Sequence, residues 1–433
     1  MQPRLASAVS KASRARYCVL LLSFVVGMVM YMDRACIGTA APWIRREFGI
    51  DKIAIGWSLS AFNWTYGLFQ VPGGWLADRF GSRIVLAVAI AWWSVFTAAT
   101  GAAVGPWSLA STRALFGMGE AAAWPAASRA LVRWLPSGQR AFGQGFQHSG
   151  SRLGGAFAPA LVVFLVAHTG WRGVFYLFGA VGVCVAVAWH LYYRDLPREH
   201  RGVNQAELDL LDNAQLRRDA CPAVPWGRVL RSPDLLLVSL MYFCYGWVFW
   251  MYMTWFPSYL SEARHFSSMM MGLGASLPPL VGAVTNVAGG WLSDRLARTW
   301  RDLRRGRTRV ASAGFAIAGA AILAGSLATH AGLSLAFMTL GFAGLELTVA
   351  VSWAMALDLA GDFSGSVSGV MNMFGSIGGG ISSVLIGYLS TALGWTLPII
   401  ACAGFCVMAA VLASRVDPTR SAVAESKSTS LTL

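Results

Sequence analysis

The apolar residues of the chain fall into twelve blocks, each close to the roughly 20 residues that a helix needs to cross a bilayer. Short segments rich in Gly, Pro, Asp and Arg separate most of the blocks. The pattern therefore predicts an all-α membrane protein. The expected spans lie at roughly 17–41, 54–77, 83–104, 107–132, 140–167, 172–193, 234–260, 269–292, 309–329, 332–358, 365–391 and 395–414.

A longer polar stretch at 194–233 separates the sixth block from the seventh. It predicts a linker between two six-helix bundles, at 17–193 and 234–414. Tails of the chain then occupy 1–16 and 415–433. Within the linker, the fragment NQAELDLLDNAQL predicts a short amphipathic helix on the protein surface.

Composition agrees with a membrane protein, because 56% of the residues are hydrophobic and only 12% are charged. A soluble domain carries about 25% charged residues. The excess of 34 Lys and Arg over 20 Asp and Glu is the kind of balance that nucleic-acid-binding proteins show. Most of the basic residues lie in alternate loops, however, so we expect no nucleic-acid partner.

The same distribution of Lys and Arg predicts that both termini are cytoplasmic. Lys11, Arg14 and Arg16 precede the first apolar block, and no small-residue cleavage site follows it. This block therefore reads as a retained span rather than a secretory signal. We expect a multi-pass, monomeric protein of a bacterial inner membrane. The seven cysteines show no metal-ligand spacing, so we expect neither a metal nor a cofactor.

One heptad occurs twice, as GGWLADR at 73–79 and as GGWLSDR at 289–295. The copies start 216 residues apart, half of the 433-residue chain, and each ends the second span of its bundle. Glycine pairs allow helices to approach closely, and an Asp can accept hydrogen bonds from a helix N-terminus or pair with Arg. We expect a cytoplasmic conformational latch, composed of Asp78, Arg79, Arg83, Asp294 and Arg295. The alternative is that the arginines only hold these loops inside.

Ionisable residues inside the spans require a structural or functional explanation, since one such residue at mid-bilayer costs about 2.5–3.5 kcal/mol on insertion scales. They are Asp33 and Arg34 in span one, Arg113 and Glu120 in span four, His148 and Arg152 in span five, and Glu346 in span ten. The four charges of spans one and four either form structural ion pairs or serve a function. We favour function, because ion pairs are an expensive way to hold two helices together.

Span five carries a polar face that includes Gln147, His148 and Arg152. Gln147 and His148 suit a hydroxylated ligand, although His148 is equally explained as a satisfied interhelical residue. Arginine offers a two-pronged donor for a carboxylate or phosphate. A buried carboxylate beside a cation can bind and release a proton as access alternates. Together these groups indicate a proton-coupled carrier of organic anions.

The segment GWLADRFGSR resembles the loop signature of the major facilitator superfamily. YMDRACIG, RALFGMGEAAAWPAASRALVRWLP, TWFPSYL and GVMNMFGSIGGG resemble its anion:cation symporter branch. The resemblance implies two bundles that rock about a central site. It implies that Asp33 and Glu120 carry protons and that Arg34 and Arg113 meet the substrate carboxylate. It also places polar residues on the cavity wall, namely Tyr31, Tyr66, Gln147, Ser352 and Asn372.

Arg152 and Glu346 stand apart from the pattern that this branch shows. An extra cation and an extra acid are consistent with a dicarboxylate, or with a substrate that also carries an amine. They are equally consistent with an ion pair between the two bundles.

Other functions remain open from the sequence. An exchanger of sugar phosphate for phosphate is the main alternative, although the second bundle has no arginine inside a span. A membrane enzyme is disfavoured, because the six histidines form no catalytic or metal-binding pattern. A channel lacks support, and a sensor built on a carrier fold stays possible.

Overall fold

The computed structural model describes residues 11–50, 52–211 and 223–422, where regular secondary structure is entirely helical. The long helices are α1 (Ala15–Phe48), α2 (Lys52–Phe80), α3 (Ser82–Gly101), α4 (Pro106–Glu120), α5 (Ala123–Trp134), α6 (Arg140–Tyr192), α7 (Pro233–Trp250), α8 (Ser268–Trp300), α9 (Leu303–Leu327), α10 (Ala331–Ala360), α11 (Ser364–Leu393) and α12 (Thr396–Arg415). Two π-helical turns and one short helix continue α7 to Ala263.

Within the described residues, nine helical segments have the length and hydropathy of a membrane span. One of them contains two spans, because Gly170 in α6 adopts a left-handed φ of 69° and interrupts the helix. Helix α2 and the α4–α5 pair lie at the positions of the two remaining predicted spans. In α4–α5 the helix stops at Glu120 and restarts at Ala123. The structure thus confirms an all-α membrane protein with the twelve predicted spans.

The helices pack as two six-helix bundles. In the first, α1 and α3 pack along the two parts of α6, and α2 packs on α4. In the second, α7 packs on α11, and α9 packs on α10 and α12. Two long helix pairs connect the bundles, α6 with α8 and α2 with α11. The central site lies between these two pairs.

Both described ends of the chain lie beside the connection between the bundles. The carboxylate of Glu207 accepts hydrogen bonds from the backbone N–H groups of Ala15 (3.3 Å) and Arg16 (3.1 Å), which start α1. At the other end, Ala422 N donates to Leu359 O at 2.9 Å. We call this side of the molecule, which carries both ends of the described chain and residues 194–211 and 223–233, the linker end.

The predicted amphipathic helix at 204–216 is described in part, and its described residues contain one helical turn. Only Gln205–Leu208 form a helical turn, and 212–216 lie outside the described residues. Glu207 is buried and caps α1, because the first N–H groups of a helix lack partners within the helix. This fragment therefore anchors the start of the first bundle.

The repeated glycines bring helices into backbone contact. Added methyl groups at Gly73 and Gly289 would meet residues of the same bundle, Ala122 and the backbone of Leu347 respectively. Added methyl groups at Gly74 and Gly290 would instead meet the backbones of Gly365 and Ala141 in the opposite bundle. Each glycine pair therefore provides one contact within its bundle and one contact between bundles.

Candidate functional site

A small cavity of about 50 Å³ lies at the centre of the molecule, between the two bundles. Helices α1, α2, α5 and α6 form one wall, and α7, α10 and α11 form the other. Six of the nine predicted substrate-binding residues line it, namely Tyr31, Arg34, Tyr66, His148, Arg152 and Asn372. Aromatic residues complete much of the lining, including Trp124, Tyr242, Tyr245, Phe249, Trp250 and Trp353. The site is thus a cationic cavity in an aromatic cage.

Arg34 is the cation that α1 presents to this cavity. Its Nε donates to Glu120 Oε1 at 2.9 Å, and its guanidinium lies 4.4 Å from the Tyr66 ring and 5.0 Å from the Tyr31 ring. Its Nη2 is buried and has no hydrogen-bond partner among the described residues. Arg34 is therefore held in place on one side and keeps donor capacity for an anion.

Asp33 and Arg113 lie behind Arg34 and do not line the cavity. The fully buried Asp33 accepts a hydrogen bond from Trp93 Nε1 at 3.1 Å through Oδ2. Arg113 lies 4.0 Å from the Phe116 ring and interacts electrostatically with both Glu120 and Asp33. Its Nε and Nη1 find no hydrogen-bond partner in the part of the chain that is described. The structure thus assembles two acids around Arg113, one layer away from the cavity.

His148 belongs to an aromatic stack at the boundary between the bundles. Its ring lies parallel to that of Trp124, 4.1 Å away, and 5.3 Å from that of Trp353 in the second bundle. Gln147 is buried beside it in α6, outside the cavity lining. Ser352 donates its hydroxyl to Thr348 O at 2.8 Å, so that group is used within its own helix. Of these three predicted residues, only His148 contacts the cavity.

Arg152 and Glu346 form an ion pair that joins the two bundles. Arg152 Nε donates to Glu346 Oε2 at 2.8 Å, and Nη2 donates to Oε1 at 3.0 Å. Tyr245 accepts from Arg152 Nη2 and donates to Glu346 Oε1, each at 2.9 Å. Asn286 Nδ2 completes the arrangement by donating to Glu346 Oε2. Among the alternatives that the sequence left open, the structure shows the pairing between bundles.

Asn372 also connects the bundles within the cavity wall. Its Nδ2 donates to Gln70 Oε1 at 2.9 Å and approaches the Tyr66 hydroxyl at 3.4 Å. Asn372 lies in α11 and the other two residues lie in α2. The amide therefore holds the α2–α11 crossing beside Arg34.

At the linker end, Asp78 caps a helix of the opposite bundle. Its carboxylate accepts from Gly365 N at 2.9 Å and Ser366 N at 2.6 Å, at the start of α11. Arg129 of its own bundle donates to it at 3.1 Å. A carboxylate at a helix N-terminus satisfies unpaired N–H groups and the helix dipole. This contact closes the linker end between α2 and α11.

Asp294 makes the equivalent contact from the second bundle. It accepts from Phe142 N at 2.8 Å, in the first turn of α6, and from Arg307 Nη1 at 2.6 Å. Arg307 also donates to Asp358 at 3.1 Å, and Asp358 accepts from Arg140 of the first bundle at 3.0 Å. The two latch aspartates are thus brought to equivalent crossings.

The three predicted latch arginines lie elsewhere. Arg79 lies near the rings of Trp75 and Phe80, and Arg295 lies 5.1 Å from the Trp291 ring. Arg83 donates from Nε to His190 O at 3.0 Å, within its own bundle.

The arginines that contact the latch aspartates are Arg129 and Arg307, which the sequence prediction missed. Arg129 carried a usable signal, because it falls inside predicted span four, where a charge needs a partner. Arg307 lies within the basic cluster of the loop, so no comparable signal marked it.

Comparison with known proteins agrees with this architecture. Residues 23–383 match the Major Facilitator Superfamily. The chain is 38% identical to the probable sulfoacetate transporter of Cupriavidus necator, over 87% of each chain. It is 32% identical to a D-galactonate transporter of Escherichia coli, over 89% of this chain and 92% of the other. It is 31% identical to a probable galactarate/D-glucarate transporter of Bacillus subtilis, over 89% and 88%.

Solved structures show the same fold. The fucose:proton symporter of Escherichia coli superimposes with a TM-score of 0.71 and 15% identity, over 92% of this chain and 98% of the other. The proton:xylose symporter XylE superimposes with a TM-score of 0.74 and 13% identity, over 92% and 94%.

Proposed function

The chain belongs to the major facilitator superfamily, and from this premise we propose that it is a proton-coupled symporter that imports a small organic anion by alternating access. It is a multi-pass membrane transporter rather than an enzyme. The substrates named for its relatives are sulfoacetate, galactonate and galactarate or glucarate, all small organic acids. We propose a substrate of the same class for this chain.

The observation that carries the proposal is the arrangement of Arg34 and Glu120. Arg34 lines the cavity, and among the described residues its acidic partner is Glu120, which is fully buried. A proton on Glu120 would weaken the ion pair and free Arg34 Nε. Arg34 Nε and Nη2, which form one edge of the guanidinium, could then bind the substrate carboxylate through two parallel hydrogen bonds. Proton binding and anion binding would thereby favour each other.

Asp33 and Arg113, which lie behind Arg34, take part in the same proposed mechanism. Arg113 interacts with both Asp33 and Glu120, so a proton on either acid changes the field felt by the other. We propose that Arg113 acts mainly on these two acids in the conformation described and meets the substrate carboxylate only after rearrangement. Gln147 and Ser352 would likewise contact substrate only after such a rearrangement.

Transport would require the linker end to open. In the structure, Asp78 and Asp294 hold each bundle to a helix start of the other. We propose that the bundles at 17–193 and 234–414 rock as units, and that release breaks both aspartate contacts. We also propose that the linker end faces the cytoplasm of a bacterial cell, with import from the opposite side.

Uptake into proteoliposomes with an inward proton gradient and an internal pH dye tests the proposal. The panel comprises sulfoacetate, D-galactonate, D-glucarate and inorganic phosphate. We expect at least one organic acid to enter and to acidify the lumen, and Arg34→Gln to abolish both signals. Arg305→Gln, at an arginine whose side chain is 67% exposed, is the matched control. Uptake driven by internal phosphate without proton movement would contradict the symporter and support an exchanger.

A further inference from the structure

The ion pair between Arg152 and Glu346 has a feature that a purely structural link does not need, because Arg152 lines the central cavity. Its guanidinium lies 4.6 Å from the Phe249 ring and 5.5 Å from the Tyr31 ring. Glu346 is fully buried in the second bundle and accepts from both donors, Nε and Nη2, of one edge of that guanidinium. Glu346 thus holds the position that the carboxylate of a ligand would take.

We propose that Arg152 and Glu346 form a second anion subsite, where the far acidic group of a short dianion replaces Glu346 on Arg152. This inference rests on the proposed transport function and specifies its substrate class. The near acidic group binds Arg34, as described above. The Tyr245 hydroxyl already contacts Arg152 and lines the cavity, so it can donate to the incoming oxygen.

The distance between the two arginines limits the length of the substrate. Both guanidinium carbons flank the same Tyr31 ring, at 5.0 Å and 5.5 Å from its centre, so they are at most about 10.5 Å apart. Each arginine–carboxylate contact takes about 4 Å between the two central carbons. Two such contacts in one line leave at most about 2.5 Å between the acidic carbons, which fits acidic groups separated by one carbon atom. Contacts inclined to that line also admit a separation of two carbon atoms. A longer, extended diacid does not fit between the two cations.

When Glu346 is displaced from Arg152, its carboxylate needs a proton and a new hydrogen-bond partner, because a buried charge without a partner is costly. Asn286 can be that hydrogen-bond partner. This residue is fully buried, donates to Glu346 through Nδ2, and its Oδ1 has no hydrogen-bond partner among the described residues. A proton from the aqueous solution binds Glu346, and the resulting O–H donates to Asn286 Oδ1 after a small rotation of the amide.

This exchange keeps the subsite electrically balanced. Before binding, Arg152 and Glu346 cancel each other. After binding, Arg152 pairs with the second charge of the substrate, and the proton neutralises Glu346. A monoanion bound at Arg34 has no second acidic group to replace Glu346, so it leaves the pair intact. The subsite therefore discriminates short diacids from monoacids of the same length.

Binding of matched acids to the purified full-length protein in detergent tests the subsite. The pairs are malonate with propionate and succinate with butyrate, measured by isothermal titration calorimetry. We expect wild type to bind a diacid at least about tenfold more tightly than its monoacid, which corresponds to about 1.4 kcal/mol. The double variant Arg152→Gln/Glu346→Gln removes both charges together and should reduce that ratio to about twofold or less.

A control double variant, Arg172→Gln/Glu47→Gln, removes a partly exposed ion pair outside the cavity and should preserve the ratio. Wild type should also bind malonate and succinate more tightly than adipate. Titration in buffers of different ionisation enthalpy gives a second readout. Diacid binding should take up one more proton in wild type than in Glu346→Gln, which a merely structural pair would not produce.

A diacid preference that survives the double variant would overturn the subsite, as would equal proton uptake in wild type and Glu346→Gln. Uptake of monoacids in proteoliposomes without any diacid preference would overturn the subsite and leave the transport proposal standing. Failure to take up any organic anion would contradict both.

Discussion

At the linker end, Asp78 of the first bundle caps α11, and Asp294 of the second bundle caps α6. Each aspartate follows a glycine pair with the same division of contacts, one within the bundle and one between bundles. The central cavity shows no such equivalence. The first bundle supplies Arg34 and Arg152 to its lining, whereas the second supplies mainly aromatic rings and the amide of Asn372.

The difference between the linker end and the cavity implies that closure and anion binding place different requirements on the sequence. Closing the linker end needs the same helix crossing from both bundles, so the heptad is retained in both copies. Binding an anion needs cations on a wall of the cavity, and one bundle suffices to supply them. Under the proposed function, the repeat would mark residues of the conformational change, and the departures from the repeat would mark residues that bind the anion.

The largest expected effect comes from removing Arg34, a cation of the cavity wall for which the second bundle supplies no equivalent. Arg34→Gln should lower organic-anion uptake by about 100-fold or more, because truncating one partner of a buried ion pair costs about 2–5 kcal/mol. Arg34→Lys keeps the charge without the two-pronged geometry and should recover only part of the activity. Uptake in proteoliposomes is the measurement, and activity of Arg34→Gln near the wild-type level would remove Arg34 from the binding site.

The next largest effect tests whether the first glycine of each pair contacts its own bundle and the second glycine contacts the opposite bundle. Gly74→Ala and Gly290→Ala place a methyl group against the backbone of the opposite bundle, so they should disfavour closure of the linker end. Overpacking of this kind costs about 1–3 kcal/mol. Spin-label distances between Ser137→Cys and Arg301→Cys, on a background without other cysteines, report the opening. Both positions border one crevice at the linker end.

Gly73→Ala and Gly289→Ala provide the matched comparison, because their methyl groups would meet residues of the same bundle. These two variants should lower thermal stability without changing the spin-label distance. Gly404→Ala, where no atom lies within 4 Å of the added methyl group, should do neither. An equal change in the spin-label distance from Gly73→Ala and Gly74→Ala would contradict the assignment of one contact within the bundle and one contact between bundles.

The smallest expected effect tests whether the two latch aspartates are equivalent. Asp78→Asn and Asp294→Asn keep an acceptor oxygen and lose the charge, which weakens the contact by about 1 kcal/mol. Each should raise the open fraction at the linker end about fivefold, with the same spin labels as readout. A large effect from one variant and none from the other would mean that the two crossings are not equivalent.

The sequence predicted the twelve spans well, because a bilayer imposes both length and composition on a spanning helix. From the repeat alone it also singled out the glycine pairs and the two aspartates that contact the opposite bundle, and their role as a latch stays a prediction. It did not predict the interruption of span four after Glu120 or the role of Glu207 at the start of α1. Both features depend on hydrogen bonds that periodicity does not encode.

Partners across the bundles were the hardest to predict. Arg152 and Glu346 are 194 residues apart, and their ion pair was only one of three interpretations. Arg113 and Glu120 lie seven residues apart in α4, yet only the carboxylate contacts Arg34, while Arg113 packs on Phe116. Spacing along a helix gives the direction of a side chain, but the neighbour that covers it is set by the packing of other helices.

In the proposed mechanism, one bundle couples protons to anion binding while both bundles share the closure. Asp33→Asn/Glu120→Gln tests it most directly, in proteoliposomes loaded with unlabelled substrate or subjected to a proton gradient. We expect this double variant to exchange external labelled substrate for internal substrate, but no longer to accumulate the labelled substrate against a gradient. Accumulation at the wild-type level in the variant would contradict proton coupling through these two acids.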